Sequence, residues 1–194
     1  MPLLDRAQTL LLVIDVQERY LPHLYEGERV VEGTRRLIEA AKIVGVPIAT
    51  TEQYPRGIGP TAPALRAALP AGHEPIQKLS LSCLGARQFA ERLEASGRRQ
   101  VLVAGIEAHA CVNHTVHDLL AAGYGVHLAV DAVSSRFRRD YEIGVARLAR
   151  AGAVATTVEA ALLEWVRTAE SPEFQPVRAL IRDPLPGDGE PPRV

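Results

Sequence analysis

Cysteine is scarce: Cys83 and Cys111 are the only two in 194 residues, and neither belongs to a C-x-x-C pair or a zinc-type cluster. A disulfide-stapled scaffold is thereby excluded, and a reducing, cytoplasmic compartment is the expectation. Charge of one sign is missing too. With 22 Lys and Arg against 23 Asp and Glu, the formal net charge is −1, which gives no electrostatic footprint for nucleic acid or an anionic membrane. The N-terminal MPLLDRAQTLLLVIDVQ contains an apolar run, but Asp5 and Arg6 precede it and Asp15 ends it. It is too short and wrongly flanked for a signal or a membrane span. A nucleotide-binding module would carry a glycine-rich loop after its first strand, and DVQERYLPH has none.

What the chain does have is alternation, without repeats or an internal boundary. Thr9 to Asp15 is apolar until its last residue, as a parallel strand buried on both faces reads. Val30, Thr34, Leu37, Ile38 and Ala41 follow at helical spacing, and Gly45 stops that helix before Pro47. Further strands are expected at Pro47–Thr51, Glu74–Lys78, Gln100–Ala104, Gly125–Val130 and Ala153–Thr156, with a loop over Glu52–Pro60. Between them lie a short helix through Ala64–Leu69, a helix carrying Ala86, Phe89, Ala90 and Leu93, and one beginning near Asp140. A final clear helix carries Trp165 and opens with Thr156-x-x-Glu159, a capping-box pattern. The pattern predicts an α/β fold: a doubly wound, Rossmann-like, mainly parallel six-stranded sheet with helices on both faces. One domain is expected over residues 1–182, closing with a docked helix of Phe174, Val177, Leu180 and Ile181. The Pro/Gly-rich residues 183–194 are expected to wander unless a partner orders them.

The stretch Val101–Gly123 concentrates the chemistry. It runs from an apolar strand through Gly105 into a helix whose first turn carries Cys111. Unpaired N–H groups and the helix dipole favour a thiolate there, so Cys111 is the candidate nucleophile. Asp15 ends the first strand and Lys78 the third, and ligands of open α/β sheets bind beyond the carboxyl ends of strands. A carboxylate, an ammonium and a thiol at one sheet edge can run nucleophilic catalysis: the lysine favours the ionised forms, and the aspartate takes the thiol proton and later delivers it. Singly, each residue has a plainer reading: a buried small hydrophobe for the cysteine, a turn residue for the aspartate, one charge among many for the lysine.

The order of motifs is more specific. LLVIDVQ, TEQYPRGIGPT, the strand ending in Lys78, GIEAHACV and DAVSSR resemble the isochorismatase-like cysteine hydrolase family from about Leu10 to the helix of Trp165. That resemblance implies catalytic roles for Asp15, Lys78 and Cys111. It also implies a non-proline cis peptide joining Ile106 to Glu107, with the backbone N–H groups of Glu107 and Cys111 forming an oxyanion hole. The implied chemistry is metal-independent, cofactor-free hydrolysis of a small-molecule amide or related C–N bond through a thioester. Two alternatives stand beside it: a vinyl-ether hydrolase of isochorismatase type, which does not use the cysteine, and a catalytically silent oligomeric scaffold. The nicotinamidase branch supplies a metal through Asp-x-His after the second strand; here TEQYPRG contains no histidine. The resemblance further implies a homo-oligomer, a dimer, tetramer or larger.

Tyr20, Leu21, Gln53, Tyr54, Leu84 and His109 are placed by the same topology near the triad, as candidates for the substrate pocket. His109 is read equally as a pocket residue or a solvent-facing turn residue. His114, one helical turn after Cys111, offers a competing Cys–His dyad. The i,i+3 pair His114 and His117 has no third metal ligand in sight and is read as a solvated or subunit-contact face. Cys83 is read as a packing residue, and Arg136, Arg138 and Arg139 as a solvated basic turn or a subunit salt bridge.

Overall fold

A computed structural model describes residues 2–189. Six strands form one all-parallel sheet in the order β3-β2-β1-β4-β5-β6: β1 Thr9–Ile14, β2 Ile48–Gln53, β3 Ile76–Lys78, β4 Gln100–Ile106, β5 Gly125–Ser134 and β6 Val154–Thr156. Parallel strands need crossovers, and the helices supply them: α1 Gly27–Val44, α2 Pro55–Ile58, α3 Pro63–Ala68, α4 Arg87–Ala95, α5 Cys111–Ala121, α6 Arg138–Ala151, α7 Val158–Val166 and α8 Phe174–Leu180.

Every residue of β1 is buried because both sheet faces are covered. Leu11 and Val13 join Leu102 and Ala104 of β4 in a core under α1, α7 and α8. Leu10, Leu12 and Ile14 join Val101 and Val103 in a second core under α4 and α5. The alternation follows from the two-residue period of a strand. β1 pairs with β2 on one side and β4 on the other, so the chain reverses its direction of growth at β1. The crevice beyond the carboxyl ends of β1 and β4 is the topological switch point.

The doubly wound architecture expected from the sequence is present, with shifts at element ends. β2 starts one residue later and extends to Gln53, and Pro55–Ile58 forms a helical turn, so Glu52–Pro60 is not one loop. β4 runs to Ile106 and β5 to Ser134, through a register irregularity between Val103 and Gly105. The cap of α7 is Thr157, whose hydroxyl accepts the Ala160 N–H at 3.2 Å, not Thr156, which ends β6. Asp131 of β5 adds both carboxylate oxygens to the Val158 N–H. The segment from Asp183 to Gly189 does not wander as expected. Arg36 of α1 donates to the carbonyls of Asp183 and Pro184, and Leu185 is buried against the α1 core. Residues 190–194 of the expected tail lie outside the described residues. Among the described residues no helix is long and apolar enough to cross a membrane.

Candidate active site

β1 leads directly into Asp15, whose φ of +53° turns the chain out of the sheet and which is 4% exposed. Oδ1 accepts from the Thr51 hydroxyl of β2 at 2.7 Å, and Oδ2 accepts from Lys78 Nζ at 2.7 Å. The short β3 exists to place that lysine. Its ammonium also donates to Gln53 Oε1 at 3.0 Å and to the carbonyls of Ser80 and Leu81. A buried charge is tolerated only when paired and hydrogen-bonded, as this one is. Burial opposes the Lys78 ammonium, but the Asp15 carboxylate outweighs it, and the lysine pKa lies above its ordinary value.

Cys111 opens α5 and borders one cavity with Asp15. The cavity measures about 50 Å³, enough for a few waters or a small acyl group. The thiol is not a resting thiolate, as helix position and Lys78 led us to expect. Burial first, and then the Asp15 carboxylate, push the Cys111 thiol up to about 12, with Lys78 only partly offsetting them. Such a thiol needs a base, and the adjacent carboxylate is positioned to be one.

The Ile106–Glu107 peptide is cis. Among the described residues, no protein group accepts a hydrogen bond from the N–H of Glu107 or of Cys111. Gly105 before it has φ +118°, and a Cβ there would lie 2.1 Å from the Ile14 carbonyl oxygen, so only glycine lets β4 pass β1 at this point.

Of the six candidate pocket residues, Tyr20 and Gln53 line the cavity. The other four do not. Leu21 faces a separate groove with Leu24 and Val31, Tyr54 is exposed, and Leu84 packs on the second core. His109 Nδ1 lies 3.0 Å from the Ser135 hydroxyl. Gln17, Ile58 and Ala110 also line the cavity and were not singled out by the sequence. Gln17 had a signal, its place two residues after Asp15 in LLVIDVQ. Its buried amide donates to the carbonyls of Gln53 and Gly59 and accepts the Gln53 N–H, tying three loops together.

The competing dyad is not assembled. His114 is exposed, with Nδ1 3.0 Å from the Ala110 carbonyl oxygen, and it does not line the cavity. Cys83 is fully buried, its sulfur 3.8 Å from the Thr51 hydroxyl, and burial pushes its thiol up to about 11. Glu52 Oε1 accepts the N–H and the hydroxyl of Thr61. Of the basic turn, Arg136 binds Glu107 and Arg138 binds Glu142. Among the described residues no cluster of three or more His, Cys, Asp or Glu is arranged to hold a metal ion.

A family model of the isochorismatase domain matches residues 9–160. The chain belongs to the isochorismatase-like family. It is 37% identical over 186 residues to isochorismatase domain-containing protein 2 of Danio rerio, covering 96% of this chain and 93% of that protein. Among solved structures, the MAR1 ribonuclease of Caenorhabditis elegans superposes with a TM-score of 0.89 at 34% identity, covering 100% of this chain and 99% of that one. The YcaC gene product of Escherichia coli, an octameric hydrolase of unknown specificity, superposes with a TM-score of 0.83 at 22% identity. It covers 93% of this chain and 88% of that one, a likeness of fold alone. The isochorismatase-like chain therefore has the fold of a hydrolase family.

Proposed function

We propose that this isochorismatase-like protein is a metal-independent, cofactor-free cysteine hydrolase of small-molecule amides or related C–N bonds. One observation carries the reading: Asp15 and Cys111, from separate chain segments at the topological switch point, border one small cavity, and Lys78 of a third segment is bonded to the Asp15 carboxylate. In the proposed cycle Cys111 Sγ attacks the carbonyl carbon while Asp15 takes the thiol proton, so the thiolate forms only as it reacts. The N–H groups of Glu107 and Cys111 hold the oxyanion. Lys78 is a positioning residue that fixes the Asp15 carboxylate. The proton on Asp15 passes to the departing amine, leaving a thioester. Asp15 then deprotonates a water, whose oxygen adds to the thioester carbon, and the same proton returns to the departing sulfur.

The worm relative is called a ribonuclease. For this chain a small molecule fits better than RNA, since the formal charge is −1 and the cavity is lined by two carboxylate residues, Asp15 and Glu107, and by no lysine or arginine. With two free cysteines, a cytoplasmic location is part of the proposal. So are a single domain to about residue 182 and a homo-oligomeric state, for which the octameric bacterial relative is the precedent. Screening small primary amides for ammonia release tests the chemistry. Cys111→Ala should lower the rate on any amide turned over by at least about a thousandfold, and quenched wild-type reactions should show the acyl mass on the Cys111 peptide. Amide turnover surviving in Cys111→Ala would overturn the proposal in favour of cysteine-independent hydrolysis.

A further inference from the structure

Apart from the thiol and the Tyr20 hydroxyl, four polar side chains border the cavity, and three are committed to the protein. Asp15 is taken by Thr51 and Lys78. Gln17 is bonded at both ends of its amide, and Gln53 donates to the Leu79 carbonyl and accepts from Lys78. Glu107 differs. Its Oε1 accepts both the backbone N–H of Arg136, at 2.9 Å, and Arg136 Nε, at 3.1 Å. Oε2 has no partner among the described residues and is not sealed off, in a residue that is 7% exposed and lines the cavity. Arg136, the partner of Oε1, has a side chain that is 47% exposed, so the pair joins a buried carboxylate that lines the cavity to a guanidinium partly in solvent.

An uncommitted carboxylate oxygen on a buried residue that lines a cavity is an acceptor waiting for a donor. A ligand without a donor there leaves that oxygen desolvated and unpaired, and one with an anion meets repulsion. We propose that Glu107 Oε2 selects the substrate: the protein takes small amides whose acyl part carries an N–H donor, neutral or cationic, a few bonds from the scissile carbonyl, and rejects those with an anionic group at that position. This inference rests on the reading of Cys111 as the reacting centre of the cavity. On that reading Glu107 serves twice, its backbone N–H on the carbonyl oxygen and its side chain on the remainder of the substrate.

Thiol probes that differ in the charge they carry test it without a known substrate. Aminoethyl, methyl and sulfonatoethyl methanethiosulfonates each transfer their thioalkyl group to a cysteine, forming a mixed disulfide and releasing methanesulfinate. Site-resolved mass spectrometry follows Cys111 in the full-length protein, with 2-mercaptoethanol as the free-thiol reference. The aminoethyl-to-sulfonatoethyl rate ratio at Cys111 should exceed the free-thiol ratio by about tenfold, as expected for a unit charge near a partly desolvated carboxylate. Glu107→Gln should return most of that excess. The methyl reagent reports any general change in thiol access, so a merely structural loss would slow all three probes together and leave the ratio unmoved. A wild-type ratio equal to the free-thiol value, or an excess that persists in Glu107→Gln, overturns the assignment of Glu107. Failure of all three reagents to modify Cys111 in the folded protein overturns both this assignment and the reading of Cys111 as an accessible reacting centre, whereas normal modification with no discrimination overturns the assignment of Glu107 alone.

Discussion

A thiol pushed up to about 12 is protonated at neutral pH, which changes what Lys78 is for. The lysine sits on the aspartate, not on the sulfur: its 2.7 Å bond to Asp15 Oδ2, with Thr51 on Oδ1, aims the base that must take the thiol proton. Alkylation of Cys111 in the free protein should therefore keep rising from pH 7 to 10 without levelling. A plateau near pH 7–8 would mean a primed thiolate. Lys78→Met should slow alkylation further at fixed pH, because the ammonium lowers the thiol pKa. It should also cost about 3–5 kcal/mol in urea unfolding, since it strands a buried carboxylate; a loss below 1 kcal/mol would show that the pair is dispensable. Asp15, Lys78 and Cys111 were legible in the sequence because polar residues at the ends of apolar strands fall on one sheet edge. The protonation state of the thiol was not, because desolvation depends on which distant segments wall it in. Gln17 escaped notice for a related reason: its partners are backbone groups 36 and 42 residues away, at the end of β2 and just after α2.

Among the elements, the pairing of β1 with β4 carries the most consequence, because both halves of the site hang from their carboxyl ends. Ile14 lies opposite Gly105, and the strands approach so closely that a Cβ at Gly105 would fall 2.1 Å from the Ile14 carbonyl oxygen and 2.6 Å from its nitrogen. Neither atom belongs to a flexible side chain, and φ +118° is itself unfavourable for an L-residue. Gly105→Ala should destabilise the fold by at least about 3 kcal/mol, read as a lowered urea midpoint at unchanged slope. A midpoint within experimental error of wild type would show that β4 can separate from β1 here. Strand starts were largely legible, since Gly, Pro and polar residues punctuate them. Strand ends were not: β2, β4 and β5 run on through Gln53, Ile106 and Ser134. These extensions are paired with neighbouring strands, Gln53 with Lys78 and Ile106 with Ser134, and tertiary pairing overrides local polarity. The same blindness left Leu21, Tyr54, Leu84 and His109 outside the lining of this cavity, for a loop's strand of origin does not say which of its side chains turn inward.

For the whole molecule, acid stability follows from histidines that the fold keeps out of water. His127 of β5 is 1% exposed, and neither ring nitrogen has a hydrogen-bond partner among the described residues. Burial holds its pKa below the ordinary 6.5, although Glu164 partly opposes the shift. His73 is likewise lowered, by burial and then by Arg92. A histidine depressed in the folded state binds its proton more readily once unfolded, so the unfolded chain takes up more protons as pH falls through about 6.5. Stability is then unaffected well above that pH and is lost below it, with a slope approaching about 1.4 kcal/mol per pH unit for each such histidine. Glu32 does not confound this window. Its hydrogen bonds to Arg35, with Arg36 adding and burial opposing, hold it down to about 2, so its contribution fades only below the unfolded carboxyl value near 4.5. Thermal unfolding between pH 7.5 and 5.5 should show a falling midpoint. His127→Leu, which removes two unpaired buried nitrogens at little cost in packing, should flatten the fall without lowering the midpoint at pH 7.5. If His127→Leu retained the full acid slope, the loss would belong to other groups, His73 among them, and the fold would be holding His127 at no cost in protons.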